Sequence, residues 1–170
     1  MLLPTQYLNP VVLRCSRFDG YALGTSAKYA PRTVYDYELE YYLHSDGGIY
    51  IDGRYIPFRA GELNFRKPGQ IVQGVPPYLC YILCVDMMGN DKRSGNYSFG
   101  TSEEAQERYE NPLLDTLPDR LILRKKDLVA GLLENILQNF GVGGDLAEFR
   151  VKSSLHFLFS ELFEEAIGHT

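Results

Sequence analysis

A chain of 170 residues, 45% of them hydrophobic and 13% aromatic, can bury a sizeable core and is too apolar to be disordered. A formal net charge of −5 argues against binding nucleic acid by phosphate neutralisation. No apolar run approaches the ~20 residues of a membrane span, and Met1–Pro10 lacks the basic start of a secretory signal.

Cys15, Cys80 and Cys84 make an odd count with no paired metal-ligand spacing. Two cysteines four apart in a strand share a face but lie too far apart for an easy bridge. Reduced thiols in a cytoplasmic protein fit this pattern. Tyrosine is heavily used, with 13 residues against no tryptophan. That bias suits a ligand pocket or an interface, and equally a plain well-formed sheet.

Residues 1–30 read as an arm leading into the body. Val11–Cys15 has strand character, and Arg17-Phe18-Asp19-Gly20 is a turn signal. From Tyr35 to Val85 the chain is a series of short segments rich in β-branched and aromatic residues, bounded by Gly, Pro or Asp. Asp46-Gly47-Gly48 and Asp52-Gly53 supply residues that accept positive φ, as tight hairpin turns require. Short strands with no helix between them predict an antiparallel sandwich or a small barrel, which can hold one small ligand. Asp86–Tyr97 is polar and Gly-rich and reads as a loop. Ser102–Tyr109 is read as a helical turn or two with acids near its start. Pro112 and Pro118 then interrupt, ahead of a strand-like run at Arg120–Leu123.

The tail changes period. Leu128, Val129, Leu132, Leu133, Ile136, Leu137 and Phe140 recur at three- and four-residue steps, predicting an amphipathic helix with Asp127 as its N-cap. Gly141 and Gly143-Gly144 end it, and Asp145 caps a second helix of roughly twenty residues. The short Gly loop makes the pair an antiparallel hairpin. On the second helix Leu155, Leu158, Phe159, Leu162 and Phe163 span more than one narrow stripe. One side is expected to cover the barrel and the other to meet the same helix of a second chain, giving a homodimer. The alternative is that both sides pack within one chain.

The run Glu38-Leu39-Glu40-Tyr41-Tyr42-Leu43, a tight turn, Ile51-Asp52-Gly53-Arg54 and then Gly61-Glu62-Leu63 through Pro68-Gly69 resembles a cupin barrel. More narrowly, it resembles the amino-terminal sensing domain of arabinose-regulator (AraC) type bacterial transcription factors. The fold this implies is mainly β with C-terminal helices. A cupin-like antiparallel β-barrel (a double-stranded β-helix, or jelly roll) with its arm would occupy residues 1–120, and a helical dimerisation hairpin residues 121–170. In such sensors the arm can lie over the pocket mouth; a plain edge strand is the other reading here.

The metal-bearing cupins that the sequence resembles place two His, one residue apart, shortly before the Glu of this strand, and a further His after the Pro-Gly turn. Those positions fall on Arg32, Val34 and Val72. Valine offers no donor atom, and arginine carries positive charge where the cation would sit. Only Glu38 remains, while His44, His156 and His169 are scattered. No metal and no other cofactor is expected. Neither a nucleophile elbow nor a phosphate-cradling Gly loop is present, so no catalytic residue is assigned.

Strand side chains alternate between two faces. With Glu38 inward, Arg32, Val34, Asp36, Glu40 and Tyr42 share its face, and Asn64 and Arg66 join from the returning strand. Arg32, Glu38, Glu40, Tyr42, Asn64 and Arg66 are therefore the candidate ligand-binding set, suited to a small polar effector such as a sugar. The opposite register, with Tyr37, Leu39 and Tyr41 inside and the charges in water, stays open. The expected function is effector sensing and dimerisation in an AraC-type regulator. DNA would be bound only through a C-terminal helix-turn-helix domain that this chain lacks, which makes it an excised sensor. The rivals are a metal-independent small cupin enzyme of isomerase type and a dimerisation module without ligand.

Overall fold

The computed structural model describes residues 1–23, 28–94, 97 and 105–168. Nine strands run β1 (Val11–Asp19), β2 (Arg32–Thr33), β3 (Tyr37–Ser45), β4 (Gly48–Ile51), β5 (Arg54–Pro57), β6 (Glu62–Arg66), β7 (Ile71–Val75), β8 (Tyr78–Asp86) and β9 (Arg120–Ile122). Two helices follow, α1 (Lys126–Asn139) and α2 (Asp145–Gly168). The strands form a five-stranded sheet in the order β1-β8-β3-β6-β9 and a four-stranded sheet in the order β2-β7-β4-β5. Every ladder between them is antiparallel. The chain passes back and forth between the two sheets, so consecutive strands are mostly not neighbours. This is the cupin-like jelly roll, mainly β with two C-terminal helices.

Local chemistry explains the turns. Asp52 and Gly53, with φ of 49° and 82°, form the two-residue link between β4 and β5; two successive positive φ values are what a primed hairpin turn demands. Gly47 and Gly48 serve another purpose. The chain changes sheets there, neither residue has positive φ, and a Cβ on either would run into the backbone carbonyl of Val75 or Ile56. Close approach, and not a hairpin, requires them. Residues 102–104 of the expected helical turn lie outside the described residues; 105–109 are irregular, not helical.

The core has two parts. Between the sheets lie Val34, Tyr42, Ile49, Ile51, Ile56, Phe58, Val72, Tyr78 and Cys80. On the outer face of the large sheet Tyr37, Leu39, Tyr41, Leu63, Phe65 and Leu83 pack with α1 and α2. Residues 37–42 of β3 are buried throughout. Neither register of alternation therefore leaves charges in water: the tyrosine-leucine face is covered by helices, and the Glu38, Glu40, Tyr42 face looks into the barrel.

The tail differs from expectation in two respects. Leu155, Leu158, Phe159, Leu162 and Phe163 are at most 7% exposed within this one chain, so they cannot form a seam between chains. α2 is covered on both of those sides, by α1 on one and by β1 and the turn at Leu114–Thr116 on the other. The apolar residues it leaves outside are Leu146, Phe149, Phe157 and Ile167. Nor does Asp127 cap α1. The helix starts at Lys126 without a local side-chain cap. Its end is closed by Glu165 of α2, which accepts from the backbone N–H of Arg124 at 3.1 Å and of Lys125 at 2.8 Å.

Burial opposes charge on Glu165, yet the donors from Lys125 and Arg124 hold its carboxyl below the usual range. A depressed folded value means stability that is present above the unfolded pKa, about 4.3, and lost as pH falls through the folded one. Glu165→Gln is expected to cost about 1–2 kcal/mol at neutral pH, the worth of a lost cap. In urea titrations at successively lower pH, the gap between variant and parent should close below about pH 4.

Candidate functional site

The pairing of β3 with β6 sets Glu38 opposite Arg66 and Glu40 opposite Asn64. From that register a buried charge network follows. Arg32 clamps Glu38 with two hydrogen bonds, of 2.9 Å to Oε1 and 2.6 Å to Oε2. Arg66 donates to Glu38 Oε2 at 3.1 Å and to Asn64 Oδ1 at 2.7 Å, and pairs with Glu40. Glu40 also accepts from Tyr42 Oη at 3.1 Å and lies 3.7 Å from the Cys80 thiol. Asn64 donates onward to the Asp119 carbonyl at 2.6 Å. Two arginines balance two glutamates, and each side chain has several partners.

The charge states fit this environment. Burial draws Arg66 below its ordinary value against the pull of Glu38. Burial acts the same way on Arg32, but its bonds to Glu38 outweigh it and raise the group. Burial pushes the Cys80 thiol up to about 12 and Cys84 well above its usual range. Both thiols are thus protonated at neutral pH and poor nucleophiles. Among the described residues, no group of three His, Cys, Asp or Glu could hold a metal ion. Arg32 and Val72, which the resemblance places at ligand positions, face each other across β2 and β7. The Arg32 guanidinium itself occupies the remaining carboxylate.

Above this floor lies a cavity of about 320 Å³, lined by Phe18, Tyr29, Arg32, Glu40, Arg66 and Tyr78 together with small and aliphatic residues of β4, β7 and β8. That is the lower end of the roughly 300–1,000 Å³ typical of small-molecule sites. Of the six candidate residues, Arg32, Glu40 and Arg66 reach the lining. Glu38, Tyr42 and Asn64 are not on it; they hold the other three from behind. Arg32 stands at the mouth, its side chain 28% exposed.

The aromatic wall was not foreseen. Tyr29 sits edge-on to both Phe18 and Tyr78, with centroids 5.9 and 6.2 Å away. Its backbone is tied to β7, Tyr29 N–H donating to the Gly74 carbonyl at 2.9 Å. Tyr78, Cys80 and Ile82 alternate along β8 in phase with the floor, a signal that antiparallel pairing of β8 with β3 would have exposed. Phe18 and Tyr29 carry no such signal, because only the sheet closure brings β1 and the segment before β2 to the cavity. The first ten residues pack elsewhere, Leu3 donating to the Glu110 carbonyl at 2.8 Å, so they do not cover the mouth.

No family model matches the sequence, and no curated protein is significantly similar to it. Among solved structures, the plu4264 protein of Photorhabdus luminescens matches with TM-score 0.34 and 17% identity, over 42% of this chain and 59% of its own. A protein of Salmonella typhimurium described as ethanolamine utilization protein Q matches with TM-score 0.31 and 19% identity, over 45% of this chain and 69% of its own. The chain thus spans 59% of the first of these structures.

The network makes the six residues unequal. Removing Glu38 takes from the Arg66 guanidinium, 4% exposed, one of its two carboxylate partners, and from Arg32 the carboxylate it clamps. Glu38→Ala is expected to destabilise the fold by about 3–5 kcal/mol, as breaking a buried pair does. Arg32→Ala keeps the Glu38–Arg66 pair and opens Glu38 to water at the mouth, so it should cost less, about 1–3 kcal/mol for the hydrogen bonds lost. Urea denaturation of both variants measures the contrast; equal losses would contradict it.

Proposed function

We propose that this chain is the effector-sensing and dimerisation domain of an AraC-type transcription regulator, without catalytic activity and working in the cytoplasm. The observation that carries the reading is a two-sheet jelly roll with a 320 Å³ cavity over a charged floor, followed directly by a helical hairpin. The sequence resemblance supports the same order of parts. Protonated buried thiols, and the pairing of Glu38 and Glu40 with arginines, favour holding a molecule over reacting with it. No helix among the described residues is long and apolar enough to cross a membrane. DNA contact would belong to a helix-turn-helix domain outside this chain. A sugar is the effector class that the sequence first raised.

The dimer reading is kept with a different surface. Leu146, Phe149 and Phe157 are between 46% and 67% exposed and recur at three- and eight-residue steps along one side of α2. Ser153 sits midway between Phe149 and Phe157, four residues from each. A second copy crossing antiparallel at Ser153 would set Phe149 against Phe157 of its partner, twice over, which makes the stripe self-complementary.

Light scattering at micromolar concentration is expected to give twice the 19.4 kDa chain mass. Phe149→Glu with Phe157→Glu should yield a folded monomer, because both side chains are exposed. A dimer that survives this pair of changes, or a parent of 19.4 kDa, overturns the surface. Leu158→Glu, by contrast, should unfold the chain, since it places charge in the core.

A further inference from the structure

Resting on the effector-sensing reading, we infer that the occupant of the barrel cavity is an uncharged, ring-shaped molecule with few hydrogen-bonding groups, such as a phenol, in place of a sugar or an organic anion. Three observations point there.

First, the charges of the floor are matched. Glu38 and Glu40 are balanced by Arg32 and Arg66, and Tyr42, Asn64 and Cys80 make further contacts to them. An anion could gain Arg32 only by stripping it from Glu38, which leaves a buried carboxylate with half its partners. A cation would meet the same balance in reverse. Neutral ligands disturb neither side.

Second, the walls are apolar. Phe18, Tyr29 and Tyr78 form an aromatic cluster, with Tyr29 edge-on to the other two, and Ile49, Val72 and Ile82 complete the enclosure. A monosaccharide brings about five hydroxyls, and each one buried without a partner costs about 1–3 kcal/mol. A flat ring loses nothing on these walls and stacks on the aromatic faces.

Third, one hydrogen-bonding group is unspent. Tyr29 Oη is buried and has no partner among the described residues. Tyr29 lines the cavity, and burial raises its hydroxyl, so it stays protonated at neutral pH. A small turn of the Tyr29 ring toward the cavity would let a single hydroxyl or carbonyl on the bound ring answer it.

The test uses the whole chain with three probes at millimolar concentration: p-cresol, benzoate and L-arabinose. Binding is read by thermal shift and by calorimetry, since a ligand of the native state must raise its stability. The inference expects p-cresol to bind most tightly. Tyr29→Phe should weaken p-cresol by about two- to tenfold, the range of one neutral hydrogen bond, and leave the binding of toluene, run alongside as a control, unchanged. If Tyr29→Phe fails to fold, Gly74→Ala serves instead. Its Cβ would press on the Tyr29 and Tyr78 side chains, and p-cresol should weaken without loss of the parent fold. Tightest binding of arabinose or benzoate overturns the inference and leaves effector sensing standing. Equal p-cresol affinity in parent and Tyr29→Phe overturns it as well. Stabilisation by none of the three overturns it too, and with the dimer intact favours the ligand-free dimerisation module.

Discussion

Glu38 is 1% exposed and takes three hydrogen bonds from two arginines. A carboxylate so placed is tolerable only while every partner holds its position, because an unpaired charge in a barrel interior costs several kcal/mol. The partners come from β2 and β6, in different sheets, with Arg66 held in turn by Asn64 and Glu40. The network therefore ties the two sheets together at one point and fixes the pairing of β3 with β6. A slip of one residue would turn Glu38 and Glu40 toward the helices and Tyr41 into the barrel. Both faces of β3 forbid it, each for its own reason: one needs charge partners, the other needs apolar cover.

That second face accounts for the helices. The outer side of the large sheet carries Tyr37, Leu39, Tyr41, Leu63 and Phe65, which no strand covers. α1 and α2 are the cover, and they share one core with the sheet. β9 straddles residues 120 and 121, so the large sheet itself runs into the helical segment. Glu165 locks the hairpin by closing the open end of α1 from α2. The apolar residues that α2 leaves exposed are Leu146 and Phe149 near its start, Phe157 at its middle and Ile167 at its end. Cavity and helices thus occupy opposite faces of the same strands, β3 and β8.

The pocket inherits its character from the same constraint. Charges that must satisfy one another leave few groups for a ligand, so a cavity whose floor reads as polar in sequence is, to an incoming molecule, largely apolar. Aromatic rings from β1, β8 and the segment before β2 dominate what a ligand touches.

Much of this was legible in the chain itself. Short aromatic and β-branched segments between Gly, Pro and Asp dictate an antiparallel barrel, and the shift to three- and four-residue periodicity dictates the helical hairpin, because side-chain direction follows backbone period. Arg32, Val34 and Val72 stand where the resemblance to metal-bearing cupins places histidines, and none of the three can replace one as a ligand. What the sequence left open was which side of each element meets which neighbour. Alternation along β3 is the same in either register, and only packing against two different layers, charged inside and apolar outside, decided it. Leu155, Leu158, Phe159, Leu162 and Phe163 read as a surplus of apolar surface, yet α1, β1 and the turn at Leu114–Thr116 enclose them from several directions at once. Tyr29 and Phe18 reached the cavity, and Glu165 reached the end of α1, through contacts between residues tens of positions apart. Local propensity carries no information about such meetings, since they arise only when the sheets close and the helices dock.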